Sequence, residues 1–157
     1  LKKELLSIHS VIDKSIKNCA LQVSNKSGII IKKYHAKNTI LEGDKTHLTN
    51  VFSNLIDNAL KYSVSVPEIE IFSEDVINGV VIKIKDNGIG IAREHQTKIF
   101  DKLYRVPTGD IHDVKGFGLG LSYVKSIVEK HNGSIKVDSQ LGEGSTFVIK
   151  LESAKED

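Results

Sequence analysis

Residues 54–63 read Asn-Leu-Ile-Asp-Asn-Ala-Leu-Lys-Tyr-Ser, setting two amides, a carboxylate and an ammonium at helical spacing. On a wheel of roughly 100° per residue, Asn54, Asp57, Asn58 and Lys61 fall within about 100° of one another. The apolar residues around them lie mostly on the other side. Asparagine is a mediocre helix former because its side chain competes with the backbone for hydrogen bonds. Two of them four apart in a strong amphipathic pattern therefore need a reason. A solvated polar face is the ordinary outcome of such a stripe. The same residues could instead hold an oxygen-ligated cation and its anion, since an amide oxygen suits magnesium and an ammonium suits phosphate. The helix alone leaves both readings open.

Two further stretches carry chemistry. Asp86-Asn87-Gly88-Ile89-Gly90-Ile91 directly follows an apolar run. Asp, Asn and Gly are ordinary turn residues, but two glycines around an isoleucine also let a flat ligand approach the backbone closely. A carboxylate at the strand end could then accept a hydrogen bond from an exocyclic amine. Gly116-Phe117-Gly118-Leu119-Gly120-Leu121 opens a helical pattern. Alternating glycines there expose backbone N–H groups at the positive end of a helix dipole, an anion site. A dinucleotide fingerprint would need glycine where Leu121 stands and a preceding strand, and no Gly-Lys-Ser/Thr of a P-loop occurs. Phosphate binding, if present, takes another route.

The elements that must position these residues follow from periodicity. Leu1, Leu5, Ile8, Ile12 and Ile16 recur at spacings of three and four and predict a helix over residues 1–17. Leu21–Val23, Ile29–Tyr34 and Thr39–Leu41 read as short strands between turn residues. Asp44 is placed to cap a helix that runs to about Ser63, with Leu48, Val51, Phe52, Leu55, Ile56, Ala59 and Leu60 as its apolar stripe. After Pro67, Glu68–Ser73 and Val80–Lys85 form a hairpin around Asn78-Gly79. A short helix is expected near Ala92–Tyr104, then a loop without periodicity, Arg105–Gly116, expected to gain order on phosphate binding. The last helix, about Leu119–His131, ends at Asn132-Gly133. Ser134–Ser139 and Ser145–Leu151 close the chain as a hairpin around Gly142-Glu143-Gly144. Strands come as hairpins with helices interleaved, which predicts a two-layer α/β sandwich: a mixed sheet covered by helices on one face.

Composition excludes several classes. The 157 residues suffice for one domain with one core, and 39% hydrophobic with 27% charged residues is ordinary for a globular domain. A formal net charge of +2 with scattered basic residues leaves no footprint for nucleic acid. The only cysteine, Cys19, rules out an internal disulfide and fits a reducing compartment. No apolar run approaches the roughly 20 residues of a membrane span, and no signal peptide opens the chain. The absence of any methionine leads us to expect a piece of a longer polypeptide. The six histidines show no metal-ligand spacing.

The order of these stretches resembles the catalytic, ATP-binding domain of bacterial two-component sensor histidine kinases, within the gyrase–histidine kinase–MutL ATPase superfamily. Residues 54–63 resemble the family's N box, 86–91 its G1 box, and Ile99–Arg105 its F box. Gly116–Leu121 resemble the G2 box, and Gly142-Glu-Gly144-Ser145-Thr146-Phe147 the final glycine-threonine block. The likeness covers essentially the whole chain and implies the Bergerat-type ATP-binding fold as a single domain over residues 1–157.

By that resemblance the cofactors are ATP and Mg2+. Asn58 is the magnesium ligand, with Asn54 beside it near the phosphates. Lys61 reaches a phosphate and Tyr62 borders the nucleotide. Asp86 accepts the adenine amine, Gly88 and Gly90 let the ring approach, and Ile91 lines its pocket. Arg105 contacts phosphate, Gly116, Gly118, Leu119 and Gly120 shape the phosphate contact, and Thr146 helps hold the adenine end. Asn54, Lys61 and Arg105 are the expected catalytic residues. The expected partners are ATP or ADP, a histidine-bearing dimerisation domain upstream, and a response regulator receiver domain. The parent is expected to be a homodimeric, membrane-anchored sensor with this domain in the cytoplasm, and the fragment by itself to be a monomer. His9 is followed by Ser10 and has no nearby proline, so it lacks the context of the family's phosphoacceptor.

Two rival readings stand beside the kinase. A hydrolase of the gyrase or MutL kind has a water-activating glutamate four residues before the magnesium asparagine, where this chain has Asn54, which offers no basicity. A nucleotide-binding module without catalysis would show degenerate motifs, whereas every expected position is filled here.

Overall fold

The computed structural model describes residues 1–102 and 120–155. Its frame is a five-stranded sheet. Strands β4 (Glu68–Val76) and β5 (Gly79–Asp86) form a hairpin whose turn places Asn78 at φ 60. That left-handed conformation is one asparagine adopts more readily than most residues. Strands β6 (Ser134–Gln140) and β7 (Gly144–Glu152) form the second hairpin, and β7 pairs antiparallel with β5. Strand β2 (Ile29–Tyr34) joins β4 in parallel, giving the order β2-β4-β5-β7-β6. The sheet is mixed, as the hairpin-rich sequence implies.

Alternation decides which face is covered. Val80, Ile82 and Ile84 of β5, and Phe147, Ile149 and Leu151 of β7, are buried. Their neighbours Lys83, Lys85 and Lys150 point the other way. Helices α1 (Ile8–Asn18), α3 (Lys45–Lys61) and α5 (Gly120–Lys130) cover the apolar face, α3 lying between the other two. Helix α3 buries Leu48, Val51, Phe52, Leu55, Ile56, Ala59 and Leu60, the stripe its period predicts. Ser15 on α1 donates from Oγ to the Thr49 carbonyl at 2.8 Å and pins the two helices together. The result is the expected two-layer α/β sandwich.

Both ends of α3 are tied down, which matters because this helix carries the polar stripe. At its start, Asp44 Oδ1 accepts the His47 N–H at 2.9 Å. The buried His131, just beyond α5, accepts the Asp44 N–H on Nε2 at 2.9 Å and donates from Nδ1 to the Ile127 carbonyl at 2.7 Å. At its end, Lys26 Nζ donates to the Leu60 carbonyl at 2.6 Å, satisfying an acceptor of the last turn.

Four expectations are corrected. The chain does not open with a helix over 1–17: Glu4–Ser7 form strand β1, antiparallel to β3 (Ile40–Gly43), and α1 starts only at Ile8. Leu1 and Leu5, which complete the helical pattern, are exposed, whereas Leu6 is buried. The period there is two, and pairing with β3 supplies the hydrogen bonds a strand needs. Leu21–Val23 is not a strand but part of the short helix α2 (Ala20–Asn25), with Leu21 70% exposed. Three residues, only two of them apolar, are too few to separate the periods. The strand expected at Thr39–Leu41 is shifted to Ile40–Gly43. The helix expected near Ala92–Tyr104 is a single turn, α4 (Arg93–Gln96), within the described residues.

Candidate nucleotide site

The polar stripe of α3 lies on its accessible side: Asn54, Asp57, Asn58 and Lys61 are half-buried between fully buried pairs. Lys61 Nζ sits 2.7 Å from Asp57 Oδ2 one turn earlier. Asn54 Nδ2 donates to the Asn50 carbonyl at 2.8 Å, which leaves Oδ1 turned outward. It faces Gly120 at the start of α5, where a Cβ would lie 3.5 Å from that oxygen. Asn54, Asp57 and Gly120 all border a cavity of about 500 Å³ that extends to Asn18, Cys19 and Gln22. The stripe thus offers amide and carboxylate oxygens beside an ammonium. That is a hard donor set suited to a magnesium ion whose other ligands are water and phosphate.

The second group forms where β5 ends. Asp86 is buried, and its Oδ1 accepts N–H groups from Gly88 (2.9 Å) and Ser145 (3.2 Å). Burial pushes its carboxyl up from the usual carboxylate value, and the two N–H bonds oppose that shift. Among the described residues Oδ2 takes no hydrogen bond, so one acceptor remains for a ligand. The loop after Asp86 is joined to the end of α3: the Ile89 N–H donates to the Tyr62 carbonyl at 3.0 Å. Gly88 packs on the same carbonyl, 2.8 Å from where a Cβ would be. These contacts bring Tyr62, Asp86, Gly88 and Ile89 together.

The third group comes from the β6–β7 turn. Gly142 N–H donates to the Ile89 carbonyl at 2.8 Å, and Ser139 Oγ accepts the Ile91 N–H at 2.8 Å. Gln96 on α4 donates from Nε2 to the carbonyls of both Ile91 and Ser139, at 2.8 Å each. Ser139 and Gln96 therefore hold the 86–91 loop against the sheet.

Several expected positions read differently in three dimensions. Thr146 is at the Asp86 end of β7, paired with the residue before Asp86, but its side chain is on the opposite face of the sheet. It lies opposite Lys85 and Asp138, on the face away from the helices, and borders a groove with His35, Phe72 and Lys83. Its neighbour Ser145, buried, faces Asp86 instead. The physical reason is strand parity: Ser145 shares the inward side with Phe147, Ile149 and Leu151, and Thr146 cannot. That alternation is visible in the sequence, and the register of β7 against β5 shows that the Ser145 side is the one facing Asp86. Gly90 is demanded by the chain itself, with φ 74 and a Cβ that would collide with the Gln140 carbonyl oxygen. Its glycine serves loop packing, whatever it does for a ligand. Ile91 is half-buried against the core. Arg105, Gly116, Gly118, Leu119 and the Arg105–Gly116 loop lie outside the described residues. Ser139 and Gln96 had no motif to announce them.

This arrangement has relatives. The pattern of the histidine kinase-, DNA gyrase B-, and HSP90-like ATPases matches residues 43–155. The chain belongs to this ATPase family. Within it, the chain is 43% identical over 166 aligned positions to the sensor protein RprX of Bacteroides fragilis, covering all of this chain and 31% of that protein. It is 37% identical over 151 positions to the sensor protein SrrB of Staphylococcus aureus, covering 96% of this chain and 26% of that protein. The chain therefore spans about a third or less of the length of these relatives. The fold matches the catalytic domain of the histidine kinase ThkA with a TM-score of 0.85 at 22% identity, covering 98% of this chain and 97% of that one. ThkA has also been solved in complex with the response regulator TrrA. Among the described residues, no helix of this family member is long and apolar enough to cross a membrane.

Proposed function

We propose that the chain is the Mg-ATP-binding catalytic part of a sensor histidine kinase, passing the γ-phosphoryl group of ATP to a histidine on a separate dimerisation domain. The observation that carries this reading is the amide at Asn54, with Oδ1 turned toward Gly120 at the cavity wall. A hydrolase of this family needs a base there to take a proton from water, and an amide cannot do so at neutral pH. Family membership supplies ATP as the nucleotide.

Each role falls to a residue of this chain. Asp86 Oδ2 accepts the adenine amine. Tyr62, Gly88 and Ile91 border the base. The Asn58 amide oxygen holds magnesium with Asn54 beside it, and the ion, when bound, neutralises charge on the phosphates. Lys61 exchanges Asp57 for a phosphate oxygen. Arg105, Gly116, Gly118, Leu119 and Gly120 contact the phosphates. The acceptor histidine comes from elsewhere in the parent, a homodimeric membrane-anchored sensor with this domain in the cytoplasm. A response regulator receiver domain takes the phosphoryl group onward. The names of the relatives RprX and SrrB, and the solved pairing of ThkA with TrrA, support those partners.

The test is direct. The chain by itself binds Mg-ATP, turns it over very slowly and does not phosphorylate itself. Adding a histidine-bearing dimerisation domain, preferably its own, yields an acid-labile phosphoryl linkage, and Asn58→Ala abolishes that transfer. Fast multiple-turnover ATP hydrolysis by the chain as it stands would favour the hydrolase instead.

A further inference from the structure

Where β6 turns into β7, the hydroxyl of Ser139 has three partners. Its Oγ accepts the Ile91 N–H at 2.8 Å, lies 2.9 Å from the Gly144 carbonyl, and lies 2.7 Å from Ser145 Oγ. A hydroxyl has one hydrogen and two lone pairs. The Ile91 N–H takes one lone pair. The Gly144 carbonyl can only accept, so the Ser139 hydrogen goes to it. The third contact then works only if Ser145 is the donor. The reverse assignment would leave a carbonyl oxygen facing a bare lone pair at 2.9 Å, a repulsive contact.

The consequence reaches the site through Ser145. Its hydroxyl hydrogen is committed to Ser139, so it presents only lone pairs to anything else. Its backbone N–H is bound to Asp86 Oδ1 at 3.2 Å. The end of the site at Asp86 therefore offers acceptors alone: the second carboxylate oxygen and the Ser145 hydroxyl oxygen. Such a wall takes an amine, or a water bound to one, and turns away a carbonyl.

We propose that Ser139 is a positioning residue for base selectivity: by holding the Ser145 hydroxyl hydrogen, it keeps the wall beside Asp86 acceptor-only and so selects adenine over a 6-oxopurine. The proposal rests on the nucleotide reading above, in which Asp86 accepts the adenine amine. Ser139 acts without touching the nucleotide. With its Oγ removed, the Ser145 hydroxyl rotates freely and can donate to a carbonyl.

ADP and inosine diphosphate differ at this position, an amine against a carbonyl. Calorimetry with both nucleotides, in the presence of Mg2+, on the wild-type chain, Ser139→Ala, Ser145→Ala and the double variant tests the idea. Ser139→Ala is expected to lower the ratio Kd(IDP)/Kd(ADP) by about tenfold, the worth of about one hydrogen bond. In the Ser145→Ala background the same substitution is expected to leave the ratio unchanged, because the effect passes through that hydroxyl. Ser139→Cys, close in size but a weak acceptor, should move the ratio the same way and serves if the alanine variant does not fold. A bracing role alone would weaken both nucleotides together. A wild-type ratio in both Ser139→Ala and Ser139→Cys, or in the cysteine variant if only that one folds, would overturn the proposal. Failure of the wild-type chain to bind either nucleotide is a different result, overturning the nucleotide reading and this proposal with it.

Discussion

Asp86 keeps a carboxylate at a buried strand end, where desolvation works against its charge and two N–H groups work for it. Asparagine at this position would keep an oxygen for both N–H groups but would turn an amide NH2 toward the base amine. Asp86→Asn is therefore expected to weaken ADP by about ten- to a hundredfold in a calorimetric titration, the cost of one mispaired buried group. The thermal midpoint should hold or rise, because a desolvated charge has gone. Undiminished affinity would remove Asp86 from base recognition. Asn54 supports a complementary change. Asn54→Glu puts a base beside Gly120, and phosphate release should rise by about tenfold, short of what an optimised general base supplies. A rate equal to wild type would mean that the carboxylate does not reach the attacking water.

Helix α3 brings the chemistry of residues 54–61 to the sheet, and its N-terminal turn is where its position can be tested. Asp44 caps it through His47, while His131 grips the Asp44 N–H from the end of α5. Asp44→Ala should cost about 0.5–2 kcal/mol in urea unfolding. His131 adds a pH dependence. Its Nδ1 must carry the hydrogen given to the Ile127 carbonyl, so Nε2 accepts from Asp44 only while the ring is neutral. Burial, the largest influence, lowers its pKa below the usual 6.5. The unfolded chain therefore takes up a proton near pH 6.5 while the folded chain does not. Its stabilising share is intact above about pH 6.5 and is lost as pH falls below that value, through the folded pKa. His9, also lowered by burial, contributes in the same direction. Unfolding free energy measured between pH 7.5 and 5.5 should decline, with a shallower slope in His131→Gln. Parallel slopes would place the titration elsewhere. The lowered carboxyl of Asp44, held by the His47 and Lys2 N–H groups, acts in a lower window, as pH falls from about 3.8.

At the scale of the whole molecule, three distant segments meet through the backbone bonds of Ile89 to Tyr62 and Gly142 to Ile89, and through the Ser145 N–H donated to the Asp86 carboxylate. A ligand bound across this junction adds its binding free energy to the stability of the fold. Mg-ADP at about a hundred times its Kd should add about 2.7 kcal/mol, which for a domain of this size is a rise of about 5–10 °C in the thermal midpoint. Asn58→Ala should keep much of the shift seen with ADP in EDTA and lose the increment that Mg2+ provides. An increment identical to wild type would take Asn58 out of the metal site without any assay of activity.

Helices α3 and α5 were legible because their hydrogen bonds run four residues back and their apolar faces repeat at 3.6. The two hairpins were legible because Asn78-Gly79 and Gly142-Glu143-Gly144 sit between alternating runs. The same local signals located the stripe at 54–61 and the carboxylate at 86. Strand partners are not local. Glu4–Ser7 became a strand because residues 40–43 satisfy its backbone, and the three residues 21–23 became helix because no sheet edge claims them. Gly90 is a glycine because Gln140 passes beside it. Gln96 and Ser139 acquire their role only where α4, the loop after Asp86 and β6 converge. The choice of Ser145 over Thr146 lay between the two. Parity contained it, but only the register of β7 against β5 showed which parity faces Asp86. Periodicity and turn chemistry are properties of neighbours along the chain, whereas a hydrogen-bonded junction of three segments exists only after they have folded together.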